Sequence, residues 1–201
     1  MAFVALPAVA ARPAAPLRST ASAFVAPAAA AAAAPRARAA RLLPTMAVTV
    51  GEPAPAFTLP TDGGGSMSLS DLAGKKVVLY FYPRDDTPGC TVEAQGFRDA
   101  ADRLAAAGAV VIGVSPDSTA SHDAFKAKYG LNFPLVSDVD DAKPMLSAYG
   151  VWQLRKKFGK EFMGVSRSTF VIDGAGAVAR EWLSVVVDGH VEEVVSYVES
   201  L

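Results

Sequence analysis

The sequence predicts an α/β domain with a central mixed β-sheet flanked by helices, preceded by an N-terminal extension. Two continuous apolar runs of strand length, residues 77–82 and 109–114, are typical of strands buried on both faces. Near the end of the chain, residues 168–172 and 177–183 form two further strand patterns around a glycine-containing turn. Helical patterns separate the earlier strands, and this alternation indicates a layered sheet-and-helix fold.

The remaining elements follow from periodicity and from stop signals. Residues 91–107 carry apolar side chains at helical spacing and are followed by Gly108, a residue favoured just beyond the end of a helix. A second helix is predicted to end at Gly130 in the same way. That second helix covers residues 118–129. The other predicted elements are short strands at 66–69 and 135–138, a short helical turn capped at 70–71, and helices at 142–149 and 191–198.

The first 46 residues differ in composition from the rest. They contain 20 Ala, 6 Pro and 5 Arg, and the first carboxylate of the chain is Glu52. Such a segment predicts a disordered organelle targeting peptide at 1–46, followed by one domain at 47–201. A simple transit peptide is one form of this hypothesis. A weak signal segment at 1–11 with a plastid-type junction at 20–27 is another, and a plain low-complexity tail is the alternative to both. Plastid stroma or thylakoid lumen is the favoured destination, and the mitochondrion is second.

Charge and cysteine content exclude several classes of partner and site. From residue 47 onward, 14 Lys and Arg stand against 20 Asp and Glu, a net charge of −6. An acidic domain without a basic stripe argues against nucleic acid or an anionic membrane as a partner. Cys90 is the only cysteine, which excludes a disulfide scaffold and a cysteine-based zinc site.

Cys90 occupies a position suited to a reactive thiol. It follows a predicted buried strand and the turn Pro88-Gly89, where a helix is expected to begin. The first turn of a helix stabilises a thiolate through its free N–H groups and the positive end of its dipole. The alternative is an inert buried cysteine, and the polar, turn-rich flank favours the reactive one.

Two residues that precede Cys90, Thr87 and Pro83, form a sequence motif with it. Thr87 is either a helix cap or a hydroxyl that hydrogen-bonds the thiolate, and Pro83 is either strand punctuation or a lid that restricts solvent. Together they give Pro-x-x-x-Thr-x-x-Cys, which matches the active-site signature of the peroxiredoxins. Residues 82–94 and 164–173, with Arg167 in the second segment, resemble the Q-type (bacterioferritin-comigratory) branch. The resemblance covers residues 48–201.

The resemblance implies a thioredoxin-like fold and a thiol-dependent reduction of hydrogen peroxide and alkyl hydroperoxides, without a metal or organic cofactor. In such a site Cys90 attacks the peroxide and Arg167 stabilises the developing charge, while Thr87 and the backbone of the Gly89 turn orient the substrate. Glu93 is expected to orient Arg167, or else to be an ordinary exposed helical glutamate. Q-type relatives are often monomeric, so a monomer is implied.

The chain departs from the Q-type pattern at Gln95. Many members carry a resolving cysteine there, five residues after the attacking one. Without it, the sulfenic acid of Cys90 must be recycled by an external thiol such as thioredoxin, glutaredoxin or glutathione. The rival hypothesis is a non-catalytic redox sensor or chaperone-like binder that is switched by oxidation of Cys90.

Other candidates have simpler interpretations. His122 is expected to be solvated, and His190 shows no ligand spacing. The aspartates that precede the predicted 142–149 helix are expected to cap it rather than to bind a cation. A basic loop is expected at 155–160, with a role in steering an acidic reductant as the alternative. The aspartates are Asp138, Asp140 and Asp141, and the basic residues are Arg155, Lys156, Lys157 and Lys160. Three aromatic residues are expected to pack near the site: Trp152, Phe158 and Phe162.

Overall fold

The computed structural model describes residues 48–157 and 159–201, so the predicted targeting peptide at 1–46 lies outside the described residues. The described strands are β1 (Thr58–Pro60), β2 (Ser66–Ser68), β3 (Lys76–Phe81), β4 (Ala109–Ser115), β5 (Leu135–Ser137), β6 (Trp152–Lys157), β7 (Lys160–Val165), β8 (Ser168–Ile172) and β9 (Val178–Leu183). The described helices are α1 (Pro88–Asp99), α2 (Ala101–Ala106), α3 (Thr119–Tyr129), α4 (Pro144–Ala148) and α5 (His190–Ser200).

Five of these strands form the central sheet, in the order β5-β4-β3-β8-β9. The strands β3, β4 and β5 run parallel, whereas β8 is antiparallel to both β3 and β9. The predicted mixed sheet flanked by helices is therefore confirmed. No helix in the described part of the chain is long and apolar enough to cross a membrane.

The sheet buries both of its faces because the side chains of β3 alternate between two apolar layers. Val78 and Tyr80 pack with Phe97 of α1 and with the apolar stripe of α5. Leu79 and Phe81 point to the opposite layer, which includes α4. All six residues from 77 to 82 are at most 1% exposed, as expected for a continuous apolar run.

The register of β3 and β8 places two distant segments side by side. Phe81, the last residue of β3, is paired with Ser168, the first residue of β8. Because the two strands are antiparallel, the chain that leaves β3 and the chain that enters β8 meet at the same edge of the sheet. The Pro83–Thr87 loop and Arg167 are therefore neighbours, although many residues separate them in sequence.

Two predicted elements are wrong in detail. The single helix expected at 91–107 begins earlier, at Pro88, and is divided at Ala100, whose φ of −89° and ψ of −1° leave the regular helix. The alanine-rich sequence has no breaker there, so periodicity does not show the division. The basic loop expected at 155–160 is a β-hairpin, in which β6 and β7 pair from Trp152↔Val165 to Lys157↔Lys160.

Candidate active site

Cys90 lies in the first turn of α1. Thr87 is the residue before the helix, and Pro88 is the first helical residue, a position that suits proline because no N–H is needed there. Cys90 is third, with a side chain that is only 1% exposed. The N–H groups of a first helical turn have no acceptor within the helix and point toward whatever lies in front of it. Cys90 therefore belongs to the N-terminal turn of the helix, where the backbone N–H groups are concentrated.

Arg167 brings a positive charge to the sulfur. Its Nη2 lies 3.1 Å from Cys90 Sγ, and its Nη1 donates to Glu93 Oε2. The backbone of Arg167 is fixed as well, since its carbonyl accepts a hydrogen bond of 2.9 Å from the N–H of Val185. One guanidinium therefore links the thiol to a carboxylate one helical turn farther along α1.

Glu93 is fully buried, and two effects oppose each other at its carboxyl. Burial raises the pKa of Glu93 and the Arg167 charge lowers it; burial is larger, and the pKa rises to about 7. Burial lowers the pKa of Arg167, but Glu93 and Cys90 raise it by more, so the net shift is upward. Glu93 is therefore the member of this pair that gains and loses a proton near neutral pH.

Gly89 lies directly beside the guanidinium. A Cβ built on Gly89 would be 3.6 Å from Arg167 Nη2, an ordinary contact distance. The absence of a side chain leaves that side of the guanidinium uncovered. Gln95 lies farther along α1 and is half-buried.

Thr87 and Pro83 lie in the loop that precedes α1, and the hydrogen bond described for Thr87, unlike that of Arg167, is not to the sulfur. The Thr87 hydroxyl donates to the carbonyl of Arg84 at 3.1 Å, so it bonds within the loop rather than to the sulfur. The exposed Pro83 lines a groove of about 390 Å³ between the loop and the β6–β7 hairpin. The structure thus joins Cys90, Arg167, Glu93 and Gly89 closely, whereas Thr87 and Pro83 lie in the loop that leads into α1.

A second network, missed by the sequence reasoning, holds this loop in place. The buried carboxylate of Asp85 accepts hydrogen bonds from Tyr82 at 2.7 Å and from Ser121 at 2.7 Å, and its Oδ2 lies 2.9 Å from His122 Nδ1. Burial raises the pKa of Asp85, but these partners lower it by more, so the net shift is downward. The signal in the sequence is an aspartate inside the Pro83–Thr87 loop, directly after a buried strand.

The next residue makes a second, exposed connection to the same helix. Asp86 has a left-handed φ of 55° and accepts hydrogen bonds from Lys128 Nζ and from the Tyr129 hydroxyl. Two adjacent carboxylates therefore attach the Cys90 loop to α3, one in the interior and one at the surface.

The remaining candidates have structural roles. The expected solvation of His122 is wrong: its side chain is fully buried, and Nε2 lies 3.3 Å from the carbonyl of Val136. His190 is also buried, with Nε2 2.8 Å from the Thr169 hydroxyl. The capping prediction is confirmed for Asp138, which accepts from the N–H of Leu146 in α4 at 2.8 Å.

Asp140 accepts from the N–H of Ala142 ahead of α4, and Asp141 lies in the same exposed turn. Trp152 packs against one of the core layers, Phe162 is half exposed on the hairpin, and Phe158 lies outside the described residues. Among the described residues, no group of three or more His, Cys, Asp or Glu side chains is arranged to hold a metal ion.

The AhpC/TSA family model matches residues 50–181, which include the whole site. The chain belongs to the AhpC/TSA family. A bcp relative from Coxiella burnetii is 54% identical over 150 residues, which cover 75% of this chain and 98% of that protein. Peroxiredoxin Bcp of Bacillus subtilis is 50% identical over 148 residues, 74% of this chain and 93% of that protein.

Solved structures agree with this assignment to the peroxiredoxins. Xanthomonas campestris Peroxiredoxin Q superimposes with a TM-score of 0.68 at 41% identity, covering 72% of this chain and 90% of that one. The Xylella fastidiosa PrxQ mutant gives a TM-score of 0.72 at 34% identity, covering 77% and 98%. Structures of the Xanthomonas protein include cysteine-to-serine mutants at two different positions, whereas this peroxiredoxin has one cysteine.

Proposed function

We propose that this chain is a thiol-dependent peroxidase that reduces hydrogen peroxide and alkyl hydroperoxides through Cys90. The observation that carries the proposal is the position of the sulfur, in the first turn of α1 and 3.1 Å from Nη2 of Arg167. A helix N-terminus and a neighbouring guanidinium give the sulfur the electropositive surroundings that are typical of nucleophilic cysteines. Membership in a family that includes proteins named peroxiredoxin supports the same reaction.

The first step is a displacement at oxygen. The Cys90 thiolate attacks the terminal peroxide oxygen, an S–O bond forms and the O–O bond breaks. The sulfur becomes a sulfenic acid, and the departing hydroxide or alkoxide takes a proton to give water or an alcohol. Negative charge moves from sulfur to the leaving oxygen, and a guanidinium beside both atoms stabilises it throughout.

The neighbours of Cys90 prepare this step. Glu93 holds one end of the Arg167 guanidinium, so the other end remains directed at the sulfur. The bare Gly89 leaves room for a peroxide beside Arg167. We assign Thr87 and Pro83 to orienting the substrate and limiting solvent access, with Thr87 exchanging its bond to Arg84 for one to the peroxide when substrate binds.

The second half of the cycle requires another molecule. With Gln95 at the usual resolving position and one cysteine in the chain, a disulfide cannot form within it. An external thiol condenses with the sulfenic acid, releases water and leaves a mixed disulfide. A second thiol then restores Cys90. Thioredoxin, glutaredoxin and glutathione are the candidate reductants.

The test is peroxide consumption by purified protein supplied in turn with each of the three reductants, with Cys90→Ser as the inactive control. We expect catalytic turnover with at least one reductant and none with Cys90→Ser. Rapid oxidation of Cys90 that none of these thiols reverses would contradict the peroxidase and support the sensor hypothesis instead.

A further inference from the structure

The β6–β7 hairpin is basic, whereas the domain that carries it is acidic. Residues 152–165 contain four Lys or Arg and one Glu, a net charge of +3. The rest of residues 47–201 contains 10 Lys or Arg and 19 Asp or Glu, a net charge of −9. An anionic molecule that approaches the domain is therefore repelled by its overall charge and attracted by the hairpin.

The hairpin cations, Arg155, Lys156 and Lys160, are available to a partner. All three are exposed, and among the described residues none of them forms an ion pair within 4.0 Å. Arg155 donates instead to the neutral hydroxyl of Ser166 at 3.0 Å. Glu161, the one carboxylate of the hairpin, lies opposite Lys156 and offsets part of the charge. The remaining positive charge complements carboxylates on another molecule.

Exposed apolar side chains lie among these cations. Leu154 is 63% exposed, and Phe162 and Met163 are each 47% exposed. Leu154 and Met163 are cross-strand partners, so they lie side by side on one face of the hairpin. Exposed apolar groups of this kind mark protein–protein contacts, in which Phe, Met and Arg are enriched. A small anionic thiol can contact one cation, but only a macromolecule covers the cations and the apolar pair together.

The base of the hairpin lies beside the reacting centre. Strand β7 ends at Val165, and two residues later Arg167 Nη2 lies 3.1 Å from Cys90 Sγ. Trp152, the first residue of β6, lines the same groove as Pro83 of the loop that leads to Cys90. A protein interface of ordinary size includes about 20–30 residues on each partner. A protein that reacts at Cys90 therefore has the hairpin within its contact area.

We propose that the β6–β7 hairpin docks an acidic protein dithiol, the reductant that recycles Cys90. The inference rests on the proposed peroxidase function and identifies, by its charge, the partner of the second half of the cycle. The hairpin cations attract carboxylates of the partner, and Leu154 and Met163 contact apolar surface around its thiols. The hairpin acts in binding and takes no part in the exchange at sulfur.

The exchange itself uses both thiols of the partner. One thiolate attacks the sulfur of the Cys90 sulfenic acid, an S–S bond forms, and the S–O bond breaks to release hydroxide, which takes a proton and leaves as water. The second thiolate attacks the partner's own sulfur in this mixed disulfide. The partner leaves oxidised, with an internal disulfide, and Cys90 is reduced.

The experiment measures how fast the sulfenic acid, formed with one equivalent of hydrogen peroxide, is reduced by a thioredoxin of net negative charge, read as the loss of one oxygen by intact mass. Uncharged dithiothreitol is the comparison reductant, because it gains nothing from the hairpin cations. Lys156→Gln/Lys160→Gln should lower the second-order rate constant with thioredoxin roughly fivefold at low ionic strength and leave that with dithiothreitol unaltered. At about 1 M salt, where the Debye length is about 3 Å, the difference should disappear.

Lys75→Gln is the matched control for Lys160→Gln, because Lys75 is an exposed cation just before β3, at the opposite end of that strand from the Cys90 loop. Lys160→Gln should slow reduction by thioredoxin, and Lys75→Gln should not. An unaltered thioredoxin rate in the double variant overturns the inference, as does an equal fall in Lys75→Gln or with dithiothreitol.

Vesicles that contain phosphatidylserine test the other anionic surface that the hairpin could meet. Binding to them by the unmodified protein, together with an unaltered thioredoxin rate in the double variant, assigns the hairpin to a lipid surface and overturns the inference. Failure of dithiothreitol to restore reduced Cys90 in the unmodified protein contradicts the proposed peroxidase cycle itself.

Discussion

Replacing Glu93 by Gln removes the carboxyl group of the Cys90–Arg167–Glu93 cluster while keeping the size of the side chain. The carboxyl is fully buried and its Oε1 has no hydrogen-bond partner among the described residues. Gln retains an acceptor for Arg167 but carries no charge at any pH. The substitution therefore isolates the cost of an ionised carboxylate at this position.

The size of the effect follows from the two pKa values of Glu93. The ordinary value of 4.5 applies to the unfolded chain, and burial raises the pKa in the folded protein to about 7. Between these values the folded protein keeps a proton that the unfolded chain has lost, so the stabilisation is complete below the unfolded pKa and is lost as pH rises through the folded pKa. At 1.36 kcal/mol per pKa unit, the total loss is roughly 3 kcal/mol.

The assay is urea denaturation of both proteins under reducing conditions, from about pH 4.5 to about pH 9. Other groups titrate in both proteins, so the informative quantity is the difference between their free energies of unfolding. Unmodified protein should lose roughly 3 kcal/mol relative to Glu93→Gln across this range. Parallel pH profiles would refute the reasoning, and Glu161→Gln, at an exposed site on the hairpin, is the control.

Three further outcomes are expected. Asp85→Asn should destabilise the fold by about 1–3 kcal/mol in urea denaturation, since it removes a buried carboxylate that accepts hydrogen bonds from Tyr82 and Ser121 and contacts His122, whereas Asp86→Asn at the surface should have a much smaller effect. Gln95→Cys should give an internal disulfide with Cys90 after peroxide, detected as the loss of two hydrogens by intact mass; it should form slowly, because Cα atoms five residues apart on a helix are about 9 Å apart and α1 must unwind. Gly113→Ala should cost about 1–3 kcal/mol in the same denaturation assay, since its Cβ would lie 2.7 Å from a buried tyrosine hydroxyl.

The sheet could be predicted because its central strands are continuous apolar runs with clear turn signals. The close approach of Cys90 and Arg167 cannot be predicted from such local patterns. Spacing along the chain does not bring them together, and only the motif around each residue identified them in the sequence. The structure supplies the physical reason, which is the antiparallel pairing of Phe81 with Ser168.

Two of the misses, His122 and the 155–160 loop, share one cause, because the sequence pattern leads charged or polar side chains to be interpreted as exposed and irregular. His122 is buried because Asp85 provides a buried charged partner, a tertiary contact that no local pattern contains. Residues 155–157 pair with residues 160–162 as strands, because backbone hydrogen bonds hold a hairpin together whatever its surface charge. The Asp85–His122 contact that holds the Cys90 loop, and the β6–β7 hairpin that lines the groove, can therefore be recognised only from the structure.

The most direct test of the central claim is the rate at which Cys90 is oxidised by hydrogen peroxide, measured by rapid mixing of reduced protein and read as one added oxygen by intact mass. The account predicts fast oxidation in the unmodified protein and a rate roughly 100-fold lower in Arg167→Gln, because the guanidinium beside the sulfur is lost. Arg180→Gln, at a half-buried arginine paired with Glu193, should keep the original rate. Equal rates for Arg167→Gln and the unmodified protein would contradict the account.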